Sequence, residues 1–97
     1  MALQVTSQTV TTAGTRVQLA ASGSAMWLSI QAAPGNTNKI YVGDASVSST
    51  DYGVFLSPGD SLMIPGIPGM GVASVNLADI YLDADTNGNK VFLMYNI

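Results

Sequence analysis

Toward its C-terminal end the chain carries Asp83-x-Asp85-x-Asn87-Gly88, three oxygen-bearing side chains at alternate positions followed by a glycine. This is the first half of a calcium loop of the D-x-[DN]-x-[DN]-G kind, in which carboxylates and an amide converge on a hard cation. The second half does not follow. Val91 stands at the ninth position of such a loop, and Met94 stands where a bidentate Glu is required. The spacing supports at most weak calcium binding by Asp83, Asp85 and Asn87, and no cofactor is expected.

Other chemistry is scarcer still. With no His and no Cys, imidazole acid–base catalysis, Ser-His-Asp and Cys-His nucleophiles and thiolate zinc sites are all excluded. An Asp pair or a Ser-Lys pair would remain, but neither stands in a recognisable spacing, and no phosphate-cradling glycine loop is present. The expectation is a protein that is not an enzyme and has no catalytic residues. Six Asp stand against Arg16, Lys39 and Lys90, a net charge of −3. Three scattered cations make neither a nucleic-acid footprint nor a polybasic membrane contact.

What is left is apolar. Trp27, Tyr41, Tyr81 and Phe92 fall on outward-facing strand positions, where they could form a sugar platform, a subunit interface or a second packed face. Ile67 and Met70 sit in Pro65–Gly71 (P-G-I-P-G-M-G), which its prolines and glycines bar from regular structure. That segment is either a lid over an open end of the core or a docking loop. These six residues are the candidate interface.

The elements that must position them are strands. No window shows a helical apolar period, whereas period-2 alternation and turn residues recur throughout. Leu3–Val10 is a Thr-rich edge strand or arm. Ala25–Ala32 puts Met26, Leu28, Ile30 and Ala32 on one face. Lys39–Gly43, Tyr52–Leu56 and Ser61–Ile64 are further strands, the last two joined by the turn Ser57-Pro58-Gly59-Asp60. Asn87-Gly88 between two apolar runs predicts a type I′ hairpin over Asp79–Ile97. Its register would oppose Leu82 to Leu93, Ala84 to Val91 and Asp85 to Lys90. A faint internal echo relates Val17-x-Leu19, Ser24, Met26 and Ile30 to Val54-x-Leu56, Ser61, Met63 and Ile67, and Ile40-Tyr41-Val42 to Ile80-Tyr81-Leu82.

Ninety-seven residues make one domain, read as residues 1–97, and only 9% of them are charged, far below the ~25% of soluble domains. Such a surface resists association poorly, so a subunit of an assembly is expected. The segment M-A-L-Q-V-T-S lacks the basic and apolar regions of a signal peptide. The expected fold is all-β: a jelly-roll-like antiparallel β-sandwich of about eight short strands, with the closing hairpin central to one sheet.

Four stretches together resemble small structural proteins of tailed bacteriophages: V-T-T-A-G-T-R-V-Q-L, A-P-G-N-T-N-K-I-Y-V-G-D-A-S-V-S-S, L-S-P-G-D-S and D-I-Y-L-D-A-D-T-N-G-N-K-V. The resemblance covers about residues 8–95 and lies in turns and strands. It implies a capsid decoration (cement) protein: a homotrimeric virion subunit on the capsid surface that binds the major capsid protein and stabilises the head shell. The alternative within the same group is a fibre or tail module that recognises a host surface glycan, with Trp27 and Tyr41 on the sugar.

Overall fold

A computed structural model describes residues 3–20, 23–65 and 75–96. The described residues form ten strands: β1 (Leu3–Val10), β2 (Val17–Gln18), β3 (Ser24–Ala25), β4 (Trp27–Ala32), β5 (Ile40–Gly43), β6 (Val54–Leu56), β7 (Ser61–Pro65), β8 (Val75–Asn76), β9 (Tyr81–Ala84) and β10 (Asn89–Asn96). Two four-stranded sheets, ordered β1-β10-β4-β7 and β2-β9-β5-β6, pack face to face, and β3 with β8 makes a small third pair. All pairings are antiparallel. No helix among the described residues is long and apolar enough to cross a membrane.

The topology is one long ribbon rolled on itself. β1 pairs with β10, β2 with β9, β3 with β8, β4 with β7 and β5 with β6. Rolling the ribbon brings β10 beside β4 and β9 beside β5. This is the winding of a jelly roll. The internal echo of the sequence fits the second sheet, where β2 and β6 form the two edges and β9 and β5 the centre.

The core follows from alternation. Leu28, Ile30 and Ala32 of β4 and Val91 and Leu93 of β10 point inward from the first sheet. Ile40, Val42, Leu56, Leu82 and Ala84 meet them from the second. Leu28, Ile30, Ile40 and Leu82 are fully buried.

The expected hairpin does not form. β9 and β10 belong to different sheets, and Leu82 pairs with Val17 and Val42 while Leu93 pairs with Thr6 and Ile30. Leu82 and Leu93 are both core, but from opposite layers. Asp85 receives the Tyr41 hydroxyl, and Lys90 lies over the Phe92 ring instead of pairing with Asp85. The link is a turn closed by the Asn89 N–H on the Thr86 carbonyl, with Gly88 at φ 83°. Positive φ stands at the third turn residue alone, whereas a type I′ hairpin requires it at Asn87 as well. Gly88 and Gly14, at φ 85°, both face open space. Valine at either is therefore strained by its backbone and not by crowding. Each substitution should lower stability by ~1–3 kcal/mol in chemical denaturation, with neither position cheaper than the other.

Candidate functional site

The two sheets present different outer faces. On the first, the register lines up rows of side chains across all four strands: Leu3–Asn96–Trp27–Pro65, Val5–Met94–Ser29–Met63 and Ser7–Phe92–Gln31–Ser61. Leu3, Val5, Met63, Phe92 and Met94 are between 39% and 72% exposed. They are five of the seven large apolar side chains so exposed among the described residues, so exposed apolar area is concentrated on one face. Its one cation is Lys90, spread over the Phe92 ring at 5.3 Å. Ser7, Ser29, Gln31 and Ser61 stand among these side chains, and a concentration of exposed apolar side chains on one sheet face marks an interaction surface more often than a free one.

The second sheet carries Tyr41, Phe55 and Tyr81 outward, and Tyr52 stands in the loop before β6. Tyr41 is buried: its ring lies 5.0 Å from that of Tyr52, which in turn meets Phe55 edge-on at 6.0 Å. Lys39 reaches over Phe55 at 4.5 Å. The Tyr41 hydroxyl donates to both Asp85 carboxylate oxygens at 3.0 Å. Burial, then this hydrogen bond and the Asp85 charge, push the Tyr41 phenol above its ordinary value. Beside Tyr52, a recess of about 260 Å³ holds Asp44 and Asp51. Hydrogen bonds from the Ser46 hydroxyl and N–H keep the Asp44 carboxyl below its ordinary value.

A raised phenol value gives a signed expectation. Stability that depends on neutral Tyr41 is complete below the unfolded phenol value of about 10 and is lost as pH rises through the higher folded value. Thermal unfolding between about pH 9 and 11.5 should therefore fall more steeply for the wild type than for Tyr41→Phe. Parallel curves would contradict the Tyr41–Asp85 contact.

The six candidate interface residues thus divide. Trp27, half-buried, and Phe92 lie on the first sheet's outer face; Tyr41 and Tyr81 lie on the opposite side of the sandwich. Ile67 and Met70 fall outside the described residues. The half-matched calcium loop is occupied otherwise. Asp83 is buried and its Oδ1 accepts the Gly14 and Ala84 N–H groups, and Asn87 Oδ1 accepts the Ala13 N–H. With Asp85 on Tyr41, all three side chains serve the fold. No group of three or more acidic side chains among the described residues could hold a metal ion.

A cleft of about 380 Å³ opens at one end of the sandwich, between the 33–37 loop and the 86–90 turn. Its amides are committed. Asn89 exchanges hydrogen bonds with both backbone groups of Thr37. Asn36 does the same with Lys90, extending the β4 edge of the ladder by one side chain. The cleft has a polar floor, an aromatic rim at Phe92 and no acid–base pair. These Asn roles are not legible in the sequence, nor is the Gln8 bridge, whose Nε2 donates to the Gln18 carbonyl at 2.6 Å and so ties the two sheets. Their polar type reads as loop or solvent-facing, and nothing local shows what they meet.

No protein-family model, curated protein sequence or solved structure matches the chain.

Proposed function

We propose that the protein is a structural subunit of a tailed-phage virion, a decoration protein that binds the head shell through the outer face of its first sheet. The observation that supports this reading is the exposed apolar row Val5–Met94–Met63, flanked by Leu3 and Phe92, on a subunit with so few charges. Each contact of this kind is modest. Repeated over many copies on one shell, it becomes firm through multivalency. The resemblance in turns and strands adds the virion setting, the major capsid protein as partner and the homotrimer. In this reading the role of the fold is to present the exposed apolar side chains of its first sheet to the shell.

The exposed Tyr52 and Phe55 beside Asp44 and Asp51 favour a second reading, a fibre or tail module that stacks these rings on a glycan. Mass spectrometry of purified virions, followed by imaging of where the protein sits, separates the two. The decoration reading expects many copies on the head shell. Copies confined to the tail, or absence from the particle, would overturn it.

A further inference from the structure

The four sheet edges are not alike. β2 and β6 are two and three residues long, and β7 ends in Pro65. Short edges and proline are common protections against unwanted pairing. β1 has neither. It is eight residues long, pairs with β10 through one edge, and among the described residues no strand pairs with the other. Between Met1 and Thr15 there is no charged residue and no proline.

The direction of its backbone groups can be worked out. Lys90 turns its N–H and C=O toward β4, since its carbonyl accepts the Ala33 N–H at 3.0 Å and both groups bind the Asn36 side chain. Backbone groups alternate along an antiparallel strand, so Val91, Leu93 and Tyr95 turn theirs toward β1. Their partners there are Gln8, Thr6 and Gln4. Leu3, Val5, Ser7 and Thr9 must then aim their N–H and C=O groups away from the sheet. Thr9 agrees: its N–H is taken by the Gln8 side chain at 3.0 Å. The open edge therefore runs over Leu3, Val5 and Ser7.

We infer that a second copy of this chain pairs with that edge, β1 against β1, antiparallel about a two-fold axis through Val5. Parity, together with the pairing of all three open residues, sets the register. Residues with outward-aimed backbone must face one another, so Val5 opposes Val5 of the second copy and Leu3 opposes its Ser7. Each such pair exchanges two hydrogen bonds. An uncharged strand opposes itself without like-charge repulsion. The two-fold also brings the exposed Leu3 and Val5 side chains of both copies onto one continuous outer face, joining two apolar patches into one. The contact is self-complementary and closes. It covers a strand length of ~17 Å, well short of the ~800 Å² per partner of a standard interface, so the dimer is weak and concentration-dependent. This inference concerns the free subunit and depends neither on the virion reading nor on the three-fold assembly proposed on the shell.

Sedimentation equilibrium of the isolated protein from about 10 µM to 1 mM tests it. The mass should rise above the 10.0 kDa subunit with concentration. Ser7→Pro removes an N–H that β10 does not use, at an edge where proline is tolerated, and should weaken the association at least ten-fold. Phe92→Ser, on the apolar face but one strand in from the edge, should change it by less than about two-fold. A constant 10.0 kDa species, a Ser7→Pro variant that associates like the wild type, or a Phe92→Ser loss as large as that of Ser7→Pro would each overturn the inference. Should Ser7→Pro not fold, hydrogen exchange of the wild type decides. The Val5 and Ser7 amides must gain protection as concentration rises, and free exchange at all concentrations rejects the pairing.

Discussion

Leu93→Ala should lower stability by ~2–5 kcal/mol, the range for deleting a well-packed core leucine. Leu93 is 2% exposed and lies between Thr6 and Ile30 on the inner face of the first sheet. The cost combines lost burial with a cavity that two packed sheets cannot easily close. A domain of this size has a total stability of ~5–15 kcal/mol, so the variant should melt well below the wild type. Phe92→Ala, one residue away and pointing outward, should fall within about 0.5 kcal/mol. Urea unfolding of both variants checks the pair of values. A larger loss for Phe92 than for Leu93 would mean that the faces of β10 are reversed.

The second large effect is expected at a polar residue. Asn89 is 4% exposed, and its side chain accepts the Thr37 N–H at 3.1 Å while donating to the Thr37 carbonyl. Asn89→Ala removes two hydrogen bonds from a buried amide to Thr37, itself exposed to water, and each is worth ~0.5–1.5 kcal/mol net. The loss should be accompanied by faster hydrogen exchange at Thr37, because this contact pins the 33–37 loop over the end of the sandwich. Unchanged exchange there would show that water replaces the amide at no cost.

These two residues also show what was legible in the sequence and what was not. Alternation along 89–96 and 27–32 correctly separates Leu93, Leu28 and Ile30 from their outward neighbours, because side-chain period is a local property of a strand. The class of fold follows from the same signal. Partner choice does not. Asn87-Gly88 marks a turn, but whether the next strand lies beside the last or across from it depends on pairings with β1, β2, β4 and β5, up to ninety residues away. The jelly-roll expectation and the closing hairpin were in fact incompatible. In this winding, the consecutive major strands that share a sheet are β5 and β6, at the far end of the ribbon. Asn89 and Gln8 lay beyond sequence reasoning for a related reason: their partners Thr37 and Gln18 are brought near only by the rolled ribbon. Tyr41 is an instructive intermediate. Its outward parity was right, yet Tyr52 from the following loop covers it.

The apolar outer face of the first sheet is the centre of this account, and cryo-electron microscopy of intact particles tests it directly. The density should place Val5, Met63, Phe92 and Met94 against a neighbouring protein on the head shell, with Tyr52 and Phe55 turned toward solvent. A particle in which those four side chains face solvent, and the Tyr52–Phe55 side makes the contact, would contradict it.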